Sequence, residues 1–305
     1  MNKNKWILIS YIFFGGLIDI PRRYLVTQFD SFTQNSYRFF FGSLSLFIIS
    51  FIFYRKELKQ MFGNKKMWVP LIFMSAIFQF SQYIYTEGLA RTSVVIANLV
   101  LTMGIPLTII ISSAIYPDEK KQTRGKHFFL GAALAIGGTL GTALSRGDLT
   151  VEYSLGIVYL IIASLLIIVA LLMIKNFTKQ INPICLGSLS SGLMCIFFFI
   201  EAFIWGDVTK IARVSSFTNF LLVFSGVQGL LSGIGLGYLC INIYGIIVSN
   251  FAMIAMPVIA WIFGYIFFKE TLNPMQIFFA LVLTSGCYLI LKQNMAKKKV
   301  KAIAN

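Results

Sequence analysis

Histidine occurs once in this chain, as His127, so His-rich metal sites and the HExxH pattern are absent. A lone imidazole beside Lys126 reads as an interfacial residue at a helix start rather than as the base of a Ser, His and Asp set. The four cysteines, Cys185, Cys195, Cys240 and Cys287, all fall inside apolar runs without CxxC spacing. Neither a disulfide framework nor a thiolate metal site follows from them, and buried, inert thiols are the expectation. There is no Walker A sequence, which argues against primary ATP-driven transport by this chain alone, and no TVGYG-type selectivity filter. Nothing calls for a cofactor. Charge is scarce as well: 12% of the residues are charged, against roughly a quarter in a soluble domain.

What the chain has instead is apolar surface, with 57% hydrophobic residues among 305. A water-soluble fold could not hide that much, whereas a spanning helix takes about 20 apolar residues, so the length accommodates ten helices with short loops. The expected spans are 6–26, 32–54, 67–88, 92–116, 127–144, 154–174, 183–205, 217–241, 246–268 and 274–291. The clearest is Leu155 to Ile174, uncharged throughout. From Val214 to Phe268 no residue is charged; that stretch is too long for one crossing, and Asn242 to Gly245 is the natural turn within it. The N-terminal segment has the basic and apolar parts of a signal peptide but continues into Asp19, Arg22 and Arg23 instead of a cleavage pattern, so it reads as a retained first helix.

The formal charge of +15 is spread over short loops and lines no single amphipathic stripe, which points away from nucleic acid. With the N-terminus in the cytoplasm, the groups at 3–5, 55–66, 120–126, 175–179 and 292–301 all lie inside. The opposite loops hold only Arg91, Arg146, Lys210, Arg213 and Lys269. The positive-inside rule therefore expects a multi-pass protein, in the cell membrane, with both termini cytoplasmic.

Pro106 and Pro257 are each followed 13 residues later by a glutamate, Glu119 and Glu270, and the helices after those glutamates carry small residues six apart, Gly131 and Gly137, then Ala280 and Gly286. A duplicated unit of five crossings must enter the membrane from opposite sides in its two copies, giving an inverted repeat. The domains expected are a first repeat over 6–145, a second over 154–291 and a basic cytoplasmic tail over 292–305. In SFTQNSYRFFFGSLSLFI, YIYTEGLARTSVVIANLVLTMGIPLTII and FAMIAMPVIAWIFGYIFFKETLNPMQIFFALVLTSGCYLIL, the chain resembles the EamA-like permeases of the drug/metabolite transporter superfamily. That resemblance implies an all-α membrane protein of ten transmembrane helices and a central cavity. It departs from the usual pattern at Glu87 and at IDIPRR in the first helix.

Ionisable groups at membrane depth are costly and mark pathways by default. Asp19 is the deepest acid on this reading, with two interpretations, a pathway or proton-coupling group or a structural partner of Arg22 or Arg23. Arg38 sits about two turns from the outer end of the second helix, close enough to snorkel, and Glu87 and Arg91 are spaced four apart to pair. Gln79, Gln82, Tyr83, Asn98, Gln228 and Asn250 are uncharged candidates for the substrate pathway or for interhelical hydrogen bonds. Pro21, Pro106 and Pro257 are expected kinks. The function expected is a secondary transporter that moves a small metabolite, amino acid-like solute or drug, with a proton or counter-substrate as a candidate coupled partner. A membrane-embedded enzyme and a channel are the rivals.

Overall fold

The computed structural model describes residues 5–115, 126–145 and 150–303, and these are almost wholly helical. In chain order the helices are α1 (Lys5–Leu17), α2 (Asp19–Leu25), α3 (Ser31–Phe53), α4 (Arg55–Gly63), α5 (Lys65–Arg91), α6 (Val94–Ile115), α7 (Lys126–Leu144), α8 (Val151–Phe177), α9 (Pro183–Trp205), α10 (Ser216–Leu230), α11 (Gly237–Phe268) and α12 (Pro274–Ile303). Among the described residues, five stretches are long and apolar enough to cross a bilayer and four shorter apolar ones accompany them. With α1 and α2 taken together they make ten crossings. The exterior is apolar: Phe53, Val69 and Phe203 are 72%, 75% and 71% exposed, while Asp19, Arg22, Gln34, Asn35 and Arg38 are buried. Only a hydrocarbon solvent makes that arrangement favourable.

The first crossing breaks between α1 and α2 because Pro21 has no N–H to offer the carbonyl of Leu17; the chain tightens there instead, Ile18 N bonding Gly15 O at 3.3 Å. The charged stretch after α3, expected as a loop, contains the short amphipathic helix α4, which buries Leu58 and Met61 and leaves its basic residues outside. In the uncharged run, Gly245 takes φ 79° and separates two helices, a left-handed conformation that favours glycine. The turn lies where the sequence placed it.

Hydrogen bonds between loops fix which helix ends share a side. Ser31 Oγ donates to Glu87, the Asp207 amide bonds Asp30 Oδ2 at 3.4 Å, the Val94 amide bonds Glu270 Oε1 at 3.2 Å, and Asn273 Nδ2 donates to Ser145 O at 2.6 Å. The carboxylate of Glu270 thus sits at the positive end of α6. On the other side, Asn242 Nδ2 donates to Thr178 O at 2.7 Å and the Cys185 thiol points to Tyr54 O at 3.8 Å. The 216–268 stretch begins and ends on one side and turns on the other, so it crosses twice. By the same bonds the first and sixth crossings run in opposite directions, which makes the two five-helix halves inverted copies. Glu119 lies outside the described residues.

A twofold axis in the membrane plane should set each helix near the axis against its own counterpart. α7 packs on α12, the fifth crossing on the tenth, and α3 packs on α9, the second on the seventh. Without a hydrophobic drive in lipid, such seams depend on close backbone approach. A Cβ on Gly286 would lie 2.6 Å from Ala135 N and Gly131 O, and one on Gly138 would lie 2.5 Å from Leu283 N. The small-residue seam expected at Gly131 and Gly286 is present, but Gly137 faces open space; its neighbour Gly138 makes the contact.

Candidate functional site

Where α2, α3, α5 and α6 of the first half meet the eighth and ninth crossings, the packing leaves a cavity of about 160 Å³. Its polar wall comes from the first half: Asp19, Arg22, Arg38, Gln82, Tyr85 and Asn98. The second half supplies Gly229, Leu230, Gly233, Ile234, Met253 and Met256. The eighth crossing has a π-helical turn here, Leu231–Leu236, a form that recurs at functional sites because it opens the regular ladder. Opposite it, Pro257 cannot bond the carbonyl of Met253, so both second-half helices are irregular where they face the cavity.

The polar wall is a continuous network. Asp19 Oδ2 accepts from Tyr85 OH at 2.6 Å and from Asn98 Nδ2 at 3.1 Å, while Oδ1 stands 3.8 Å from Arg22 Nη1. Arg22 donates to Gln82 Oε1 at 3.2 Å, to Gln82 O at 2.9 Å and to the Thr86 hydroxyl, and its guanidinium lies 4.6 Å from the centre of the Tyr85 ring. Asn35 bridges the two arginines. Its amide donates to Thr86 Oγ1 at 2.9 Å, and its oxygen accepts from Arg38 Nη1 at 3.2 Å. Arg38 Nε donates across the halves to Ser225 Oγ at 2.7 Å.

Several expectations change on this view. Asp19 pairs with Arg22; Arg23 instead donates to the carbonyls of Leu89 and Ala90, at 2.9 and 2.8 Å. Arg38 does not snorkel. It is 2% exposed and turned inward, because it lies on the face of α3 that meets α10. Gln82 and Asn98 join the cluster, while Gln79 donates to Glu201 Oε2 at 2.6 Å and Tyr83 stacks on Phe32 at 4.4 Å between ring centres. Gln228 donates to Phe14 O at 2.7 Å and lines two apolar grooves outside the central cavity. Glu87 and Arg91 pair as spaced, with the Arg91 guanidinium 5.3 Å from the Tyr159 ring centre. Asn250 is helical, but its side chain lies outside the described residues.

Tyr85, Thr86, Asn35 and Ser225 were not singled out from the sequence. For Tyr85 a signal existed, since Gln82 and Tyr85 are three apart and share a helix face; nothing in the local sequence marked the others. In the loop after α9, the hydrogen bond from Thr209, followed by the charge of Arg213, lowers the Asp207 carboxyl below its ordinary value. This group caps the short turn Val208–Ala212 and takes no part in the cavity.

The sequence profile of the EamA-like transporter family matches residues 3–144 and again 154–292. A Haemophilus influenzae protein named an uncharacterized transporter is 28% identical over 300 residues, covering 96% of this chain and 99% of its own length. A crystal structure of a protein 14% identical superposes with a TM-score of 0.64 over 93% of this chain and 94% of the other, a likeness of fold.

Proposed function

The chain belongs to the EamA-like transporter family, and from that premise we propose that it is a secondary transporter that moves a small polar or amphipathic metabolite by alternating access. The observation that carries the proposal is the cavity itself, whose lining is contributed by both inverted halves. A site at the junction of two inverted repeats can be opened to either side when one half rocks against the other. The repeats proposed are 6–145 and 154–291, followed by the basic tail 292–305. The membrane is the cell membrane and both termini are cytoplasmic, as the Lys and Arg asymmetry favours. A reporter fused after Asn305 should be active only if it is of the kind that works in the cytoplasm; activity confined to a periplasmic or extracellular reporter would reverse the orientation.

Transport without its own ATP hydrolysis is tested with the full chain in proteoliposomes, offered labelled amino acids, carboxylates, sugars and cationic drugs under imposed pH, sodium and solute gradients. Saturable uptake that speeds up when unlabelled solute is placed on the far side is the expected result, because a carrier that returns loaded cycles faster. An ion conductance without solute saturation would favour a channel, and chemical turnover without translocation an embedded enzyme. Asp19 is the acid on the route through which a proton would couple, and Asn98 and Gln82 are the uncharged groups beside it.

A further inference from the structure

The ionisable side chains of the cavity wall do not balance. Asp19, Arg22 and Arg38 are the charged residues that line it, one carboxylate against two guanidinium groups, which leaves one positive charge. Asp19 is already engaged by Arg22, Tyr85 and Asn98. Arg38 has only neutral partners, Ser225 through Nε and Asn35 through Nη1. Its second terminal nitrogen, Nη2, has no protein acceptor among the described residues and looks toward Gly229, where even an added Cβ would come within 3.2 Å. A guanidinium that is 2% exposed and has no ion-pair partner of its own among the described residues is expensive to keep in a low-dielectric interior. Among the described residues no carboxylate forms an ion pair with it, and Asp19, whose charge reaches it, is the partner of Arg22.

Resting on the transporter reading above, we propose that the counter-charge is the substrate's own: the protein carries a small monocarboxylate, held by Arg38 with its carboxylate against Nη2 and its apolar body toward Met253, Met256 and Ile234. The size of the imbalance selects the class. One net positive charge is neutralised by a monoanion, whereas a phosphate dianion would leave the closed cavity negative, and an amine would raise its positive charge. Arginine suits the task, since its planar fork can bind a carboxylate while two of its nitrogens remain tied to Ser225 and Asn35. Gly229 gives the room. The π-helical turn that follows it, Leu231–Leu236, keeps this wall of the cavity shaped for close approach.

The test uses the full chain in proteoliposomes with labelled pyruvate and 4-methyl-2-oxopentanoate, acids strong enough to stay charged and leak little, each compared with its uncharged amide, with leucine, and with inorganic phosphate as competitor. The acids should be taken up and the amides not. Arg38→Gln should lower uptake by roughly ten- to a hundredfold, Arg38→Lys should recover part of it, and Gly229→Ala should raise KM with the charge intact. Because Arg38→Gln also frees Ser225 and Asn35, monodisperse elution is checked for each variant, and Gly229→Ala stands as the independent arm if Arg38→Gln does not fold. Amides carried as well as acids, phosphate competing better than the acids, or uptake unchanged in both Arg38→Gln and Gly229→Ala would overturn the proposal. If leucine, a zwitterion with no net charge, or an uncharged or cationic solute moves while the acids do not, the anion site is wrong and the transporter reading stands; if no solute moves under any gradient, both fall.

Discussion

Asp19→Asn should cost about 3–5 kcal/mol of stability, the usual penalty for removing one partner of a buried ion pair. The charge on Arg22 would remain, 2% exposed, with Gln82 and Thr86 as neutral acceptors and its carboxylate gone. The cavity wall would then hold two guanidinium groups and no acid. Removing both partners together, as in Asp19→Leu with Arg22→Met, should cost much less than the two single changes combined, since no buried charge is stranded. Fluorescence-detected size exclusion after stepwise heating in detergent ranks the variants, and unfolding in denaturing detergent gives the free energies. An Asp19→Asn protein as stable as the wild type would show that the pair bears no structural load.

The ten crossings were legible because length and hydrophobicity alone decide whether a segment can span, and Gly245 because an uncharged run twice too long must turn at its polar glycine. That Asp19 is enclosed was legible too, since an acid inside an apolar run must find partners, and it is buried. Facing was not. Arg38 read as a snorkelling residue because distance from a helix end says nothing about which neighbour its face meets, and that neighbour, Ser225, is 187 residues away in sequence. The pairing of Asn98 with Asp19 spans 79 residues and is equally invisible to local pattern. Tyr83 and Tyr85 look alike on paper, yet two positions turn a helix through more than half its circumference, so one stacks on Phe32 and the other holds Asp19.

The same limit separates Gly137 from Gly138, and substitution at the α7 and α12 seam makes the difference measurable. Gly286→Val should destabilise by roughly 3 kcal/mol, as overpacking in a fixed interior does, because its Cβ would fall 2.6 Å from Ala135 N and Gly131 O. Those are backbone atoms. No rotamer change relieves the clash, so α12 must move away from α7 along the seam where the fifth and tenth crossings meet. Gly137→Ala makes the matched control, since nothing lies within 4 Å of its added Cβ and a helical glycine is intrinsically worse than alanine by up to about 1 kcal/mol. The two changes are therefore expected to have opposite signs. Combining Gly286→Val with Gly138→Val should cost less than the sum, because the first substitution already separates the helices that the second would push apart. Melting temperatures that fall equally for Gly286→Val and Gly137→Ala would mean that the seam is not held by backbone approach, and the close pairing of the two halves at the symmetry axis would need another cause.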